Sequence, residues 1–396
     1  MGSLAGRTFH ARLSQRNVRR ATATPDVSSE DEGVQLREDV PLAPYTTLGL
    51  GGKARYFVEC GTEDEVRTAL AYAGDRRLPV YVLGGGSNVV FLDAGFPGLV
   101  LRVTIGGIEF RDGPSPEVCA GAGVDWDTAV QGVVERGWTG VECLSGIPGT
   151  VGGTPIQNVG AYGQEIAETV VSVVCLDRAT LERRTFTAAD CAFGYRDSRF
   201  KRGDRDRYVV LEVTLRLARN TPPRVRYPEL RDAVARGAAL DVLPPAGGVR
   251  LVRAAVLTLR RGKSMVLDPA DPNTRSAGSF FTNPVLPAAA FADLGARWTA
   301  MGRTAPIPAY PADGGMKVPA AWLVEQAGFP KGYRQGGVGI STRHALALVN
   351  LGGTSVELLA LAEAVADGVY ERFGIRLAYE PEVVSPCVPP PSRSPR

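Results

Sequence analysis

Between Leu144 and Ile166 the chain reads LSGIPGTVGGTPIQNVGAYGQEI, with glycines at 146, 149, 152, 153, 160 and 163 and prolines at 148 and 155. That density of Gly and Pro sustains neither the helical period nor the two-residue alternation of a strand, so the stretch must be a long, shaped loop. Ordered loops of this length inside compact domains are usually functional. Without Cβ atoms the main chain can approach a diphosphate or a flat heterocycle and offer it N–H groups. A plain surface loop is the alternative. Against it stands a second glycine stretch, LGGGSNVVF (Leu83–Phe91), leaving an apolar strand.

The rest of the composition narrows the classes by exclusion. A length of 396 residues with 44% hydrophobic content allows two or three domains, and a net charge of +3 carries no nucleic-acid or membrane signature. No apolar run is long enough to span a bilayer and the N-terminus lacks the apolar stretch of a secretory signal, so we expect a cytoplasmic protein without membrane insertion. The six cysteines (Cys60, Cys119, Cys143, Cys175, Cys191, Cys387) show no CxxC spacing and read as reduced core thiols. With only His10 and His344 present, an imidazole-based metal site, a Ser-His-Asp triad and a histidine general base are poorly supported, and no metal is expected.

Residues 1–38 are rich in Arg, Ser and Thr and lack an apolar period. They read as a disordered extension in preference to a transit peptide, and the proline-rich 386–396 as a disordered tail. Thr62-Glu63-Asp64-Glu65 is a capping box that starts a helix over Glu63–Ala73. The apolar run Pro79–Leu83 is a strand that delivers the chain into Gly84–Asn88. Because another strand, Val89–Leu92, follows instead of a helix, the dinucleotide fingerprint of a Rossmann site is absent. Further strands are expected at Leu99–Val103, Val118–Ala120, Val170–Asp177 and Tyr208–Leu217, and a helix capped by Asp125 over Trp126–Arg136. FGYRDSRFK (Phe193–Lys201) fits neither period and holds Arg196 behind two aromatics, which suits a fixed guanidinium. Prolines and glycines after Asn220 place a domain boundary near residue 222. Beyond it, helices are expected at Val249–Arg260, Val318–Gly328 and from the capping box at Thr354 to Gly374, then a final strand Arg376–Val384.

Five motifs in one order, LGGGSNVVF, SGIPGTVGGTPIQNVGAYGQEI, FGYRDSRFK, AGSFFTNP and YEPEVV, resemble the UDP-N-acetylenolpyruvoylglucosamine reductase family over roughly Asp39 to Val384. The resemblance implies an α+β fold: a two-part FAD-binding module of the vanillyl-alcohol-oxidase type (39–104 joined by 376–385, and 105–221) plus a separate α+β substrate-binding domain at 222–375. It implies non-covalent FAD, NADPH as co-substrate and UDP-N-acetylglucosamine enolpyruvate as substrate. We expect a monomer.

By the same resemblance the cofactor lies in a crevice lined by Gly84, Gly85, Gly86, Ser87 and Asn88 on one side. On the other come Ser145, Gly146, Ile147, Pro148, Gly152 and Gly153, then Gln157, Asn158, Gly160 and Ala161. Arg196 and Glu380 stabilise the enol intermediate and Ser279 is the proton donor. Tyr162, Arg196, Tyr227, Arg260, Lys263, Asn283 and Gln335 contact substrate, with Tyr227 on a loop that closes over the nucleotide sugar. Without the family context Ser279 reads as a turn serine. A sugar-oxidising flavoprotein of the same fold, or a non-enzymatic nucleotide-sugar binder, remain as alternatives.

Overall fold

The structure is a computed structural model, and it describes residues 34–237 and 243–385. The expected tail 386–396 and residues 1–33 of the expected extension lie outside the described residues.

The first sheet has the spatial order Arg37–Pro41, Lys53–Cys60, Phe96–Val103, Val80–Leu83; the first pairing is antiparallel and the other two parallel. Arg37 and Glu38 pair with Phe57 and Tyr56, so the chain enters this sheet two residues before the expected edge at Asp39. The helix Glu63–Asp75 connects two of its strands and begins where the capping box sets it: Thr62 Oγ1 accepts from the Glu65 N–H, and the Glu65 carboxylate accepts from the Thr62 N–H. Its Val66, Ala69, Leu70 and Ala73 are buried against the sheet.

The second sheet is antiparallel throughout, in the order Arg183–Thr187, Val170–Asp177, Tyr208–Arg216, Glu117–Gly121, Ile108–Arg111. The helix Trp126–Glu135 packs near it, capped as expected by the Asp125 carboxylate, which accepts from the Thr128 N–H at 2.8 Å. Leu99 and Leu101 of the first sheet share one buried cluster with Val173 and Val213 of the second, and Val151 and Ile166 anchor the glycine loop in it.

A separate core gathers Phe280 and Phe281, the short helix Ala320–Gln326, the strands Val338–Ile340 and Leu348–Asn350, and the apolar face of Ser355–Phe373. That last helix has the expected Thr354 capping box and ends at Gly374, whose φ of 71° is left-handed.

Two differences from the sequence reading matter. The final strand is only Glu382–Val384, paired parallel to Val89–Phe91. Before it, Ala378 and Glu380 lie along Phe280–Thr282: the Glu380 N–H donates to the Phe280 carbonyl at 2.9 Å and the Thr282 N–H to the Ala378 carbonyl at 3.0 Å. Pro381 sits between the two pairings with no N–H to continue a ladder. The second difference concerns the helices Pro228–Ala235 and Pro245–Gly262. Val252, Ala255 and Val256 pack around Cys143, and Val249 joins the core shared by the two sheets, so these helices go with the 105–221 part by packing although they follow residue 222.

Candidate active site

The two glycine loops are pressed together. A Cβ on Gly85 would stand 2.7 Å from Gly149 Cα, and one on Gly86, whose φ is +64°, would stand 1.9 Å from the Tyr45 carbonyl oxygen. No larger residue fits at either position without moving backbone. Ser87 Oγ donates to the Pro148 carbonyl at 2.8 Å and fixes the register between the loops. Among the described residues, no acceptor meets the N–H groups of Gly85, Gly86 and Ser87. Successive free main-chain donors facing a cavity form a nest for an anion, and this donor set fits the diphosphate of a dinucleotide such as FAD.

The crevice consists of two adjoining cavities of about 470 and 320 Å³, with Tyr81, Gly84, Thr150, Gln157, Glu380 and Glu382 among the walls of both. The larger is also lined by Gly152, Arg178 and Lys201. The smaller is lined by Gly84–Asn88 and Ile147–Thr150, and Gly160, Arg196, Arg260, Ser264 and Ser279 also face it.

Arg196, at a left-handed φ of 53°, places its Nε 3.1 Å from Glu380 Oε1 and donates from Nη2 to the Gly160 carbonyl at 2.6 Å. Lys201 Nζ donates to Gln157 Oε1 at 2.9 Å and to the Arg196 carbonyl at 3.1 Å. Burial pushes the Glu380 carboxyl above its ordinary range, opposed by Arg196 and Lys201; burial likewise pulls the Lys201 ammonium down. A carboxyl so placed can hold or share a proton beside a permanent cation. Glu382 borders the same space, but Tyr81 Oη donates to it at 3.1 Å and Arg205 Nη2 at 2.9 Å. Ser279 is half-buried, and its hydroxyl has no protein partner among the described residues. Arg260 donates from Nη2 to the Met265 carbonyl at 2.7 Å, and its Nε is buried beside Gly146 with no acceptor among the described residues.

A second group stands outside the crevice walls. The Tyr162 and Tyr227 rings meet edge to face at 5.7 Å, and Lys263 lies 5.9 Å from the Tyr162 ring while ion-paired with Glu229 at 2.6 Å. Asn283 caps the helix Ala320–Gln326 through the Ala320 N–H, and its Nδ2 reaches Tyr195 Oη at 3.4 Å. Gln335 is exposed on a short strand.

Four expected cofactor contacts are not among the residues that wall the two cavities. Ser145 is buried and gives its hydroxyl to the Glu142 carbonyl. The Gly146 N–H goes to Asp127 Oδ1. Asn158 is buried and spends its side chain on Glu165, Gly194 and Ala167. Ala161 lies in a small hairpin with Gln164. Each satisfies a loop that has little regular structure to pair its backbone. Sequence reasoning missed Thr150, Arg178, Lys201 and Glu382 on the walls. Lys201 and Glu382 stand inside motifs already singled out, whereas Arg178 carried no local signal.

Fold and site together define a flavoprotein oxidoreductase: an FAD-binding module of two α+β parts with a further domain closing the crevice. A model of an FAD binding domain matches residues 54–181, and one of the C-terminal domain of UDP-N-acetylenolpyruvoylglucosamine reductase matches 269–384. The reductase of that name from Thermobifida fusca is 51% identical over 354 residues, covering 87% of this chain and 97% of the relative. That of Streptomyces avermitilis is 48% identical over 356 residues, covering 89% and 95%. The crystal structure of the Thermus caldophilus reductase aligns at a TM-score of 0.59 with 26% identity, covering 89% of this chain and 98% of that one. The chain belongs to the UDP-N-acetylenolpyruvoylglucosamine reductase family.

Proposed function

We propose that the reductase chemistry of this chain runs in the cavity that Ser279, Arg196 and Glu380 all line. The chain is a flavin-dependent UDP-N-acetylmuramate dehydrogenase that uses NADPH to reduce UDP-N-acetylglucosamine enolpyruvate to UDP-N-acetylmuramate in peptidoglycan precursor synthesis. The N–H groups of Gly85–Ser87 and the stretch Ile147–Gly153 would hold FAD, which when bound would supply the hydride-transfer chemistry between NADPH and the substrate.

The chain's own residues handle charge and proton. The planar Arg196 fork faces the carboxylate and the developing enolate, and a protonated Glu380 donates a hydrogen bond to the same charge. Ser279 delivers the proton to the carbon next to the carboxylate. Arg260, with Lys263, Tyr162 and Tyr227 at the rim, holds the nucleotide sugar, and Asn283 and Gln335 act from further out. The observation that carries this reading is the Ser279 hydroxyl, without a partner among the described residues, in a cavity that Arg196, Glu380 and Arg260 also line.

No helix among the described residues is long and apolar enough to cross a membrane. Work as a monomer in the cytoplasm, where nucleotide sugars are made, completes the proposal. The test is direct. The purified protein should be yellow, release its flavin on acid precipitation, and reoxidise reduced flavin with the enolpyruvyl substrate. A colourless protein that binds the nucleotide sugar would leave only the binder. Flavin retained in the pellet, with reduction by simple sugars, would favour the oxidase.

A further inference from the structure

The N-terminus of the helix Trp126–Glu135 is welded to the glycine loop at several points. Trp126 Nε1 donates to the Leu144 carbonyl at 3.0 Å and its N–H to the Gly149 carbonyl at 3.0 Å, while Asp125 bridges to Thr150. Asp127 adds a contact of a different kind. Its Oδ1 accepts the Gly146 N–H at 2.6 Å, and the whole carboxylate receives the Arg253 fork, Nη1 to Oδ1 at 2.6 Å and Nη2 to Oδ2 at 2.9 Å.

Arg253 belongs to the helix Pro245–Gly262, and Arg260 is seven residues further along it, two turns away on nearly the same face. Gly146 opens the run Ile147–Thr150 that walls the crevice. The loop and the helix also touch directly, since a Cβ on Gly146 would lie 2.8 Å from Leu257 and 3.6 Å from Arg260 Nε. One carboxylate therefore ties the loop that walls the crevice to the helix that carries Arg260.

We infer that Asp127 is a positioning residue that sets the distance between the flavin loop and Arg260. The inference rests on the placement of Arg260 at the substrate. A paired, two-pronged guanidinium fixes direction as well as distance, and a carboxylate already engaged on both oxygens leaves Arg253 unable to compete with Arg260 for substrate anions. The pairing also holds the Asp127 carboxyl below its usual range against the opposing effect of burial, so the node stays ionised where the enzyme works.

The test uses Asp127→Asn and Arg253→Gln, singly and together, in the full chain. FAD affinity is read by quenching of flavin fluorescence as protein stripped of flavin is titrated with FAD, and KM and kcat are read on the FAD-saturated enzyme. Each single variant should raise KM for UDP-N-acetylglucosamine enolpyruvate about tenfold and leave flavin reduction by NADPH, followed by stopped-flow absorbance, within about threefold, as expected for a contact that orients Arg260 and takes no part in the first half-reaction. Asp127→Asn should also weaken FAD binding, because its amide faces the guanidinium and draws away from the Gly146 N–H. The double variant should be no worse than the poorer single, because both break one interaction. Parental KM and FAD affinity with only a lower melting temperature would overturn the inference, as would additive effects. Arg260→Met, run in parallel, separates the two readings. Parental KM there removes Arg260 from the substrate site, whereas raised KM there with parental values in Asp127→Asn overturns the positioning role alone.

Discussion

Arg196 and Glu380 meet at the crevice with Nε 3.1 Å from Oε1, although they lie 184 residues apart in the chain. The join is made by backbone on both sides. Gly160 accepts from the Arg196 guanidinium, and Phe280 accepts from the Glu380 N–H, one residue past Ser279. Charge, acid and hydroxyl thus come from three distant segments, and the first two are joined directly by the Arg196–Glu380 ion pair.

Substituting Glu380→Gln should slow oxidation of reduced flavin by the enolpyruvyl substrate by about 10²–10³-fold, the usual cost of one stabilising donor. Glu382→Gln should cost much less, because its carboxylate is already held by Tyr81 and Arg205. Stopped-flow absorbance on both variants decides; the reverse order would move the role to Glu382.

Tyr227 is exposed, rests edge-on against Tyr162 and caps the approach to the helix Pro228–Ala235. Tyr227→Ala should raise the substrate KM while flavin reduction by NADPH keeps its rate, since the ring restrains bound nucleotide sugar and meets the glycine loop only at Tyr162, outside the crevice walls. An unchanged KM would remove the closing role.

His344 links acidity to stability. Burial, helped by Lys263, Lys331 and Arg260, pushes its imidazole down from 6.5 to about 4, and its Nδ1 accepts the Leu346 N–H and so has no proton to give. A base lowered in the folded state takes its proton first when unfolded. The stability it permits is therefore complete above about pH 6.5 and drains away as pH falls toward 4, by on the order of 3 kcal/mol. Urea midpoints should drop between pH 7 and pH 4.5, and His344→Gln should flatten that slope. Parallel slopes would assign the loss to other groups.

Much of this was legible locally. Thr62 and Thr354 announced their helices because a capping box is written in four residues, and the glycine stretches announced close backbone approach. What stayed hidden was direction. Ser145 and Asn158 belong to the loop that walls the flavin crevice, yet both face inward, since a long loop has orphan carbonyls and N–H groups that its own polar side chains must satisfy. Arg178 was invisible for the opposite reason. It sits at a strand end and is defined by partners far away, donating to the Val80 and Asp206 carbonyls. The stretch Arg376–Val384 reads as one strand from its sequence, but Pro381 divides it between two partners.

Ser279 is the hardest residue to justify physically, because a serine hydroxyl is a very weak acid and no histidine lines the cavity. Donation is reasonable only toward a strongly basic carbanion-like enolate, with a cation beside the alkoxide that remains. The sequence left Arg260 and Lys263 as equal sources of that charge. In the fold they differ: Arg260 lines the same cavity, whereas Lys263 is paired with Glu229 outside the wall. Ser279→Ala should therefore leave flavin reduction by NADPH nearly intact and slow its oxidation by substrate by more than the roughly 10²–10⁴-fold typical of general acid catalysis. Arg260→Met should slow that same half-reaction, and Lys263→Met should act on substrate KM alone. Equal slowing of both halves in Ser279→Ala would make the serine a support of the flavin site. An unslowed second half would end its role as proton donor, and a Lys263→Met enzyme as slow in that step as Arg260→Met would return the charge to the lysine.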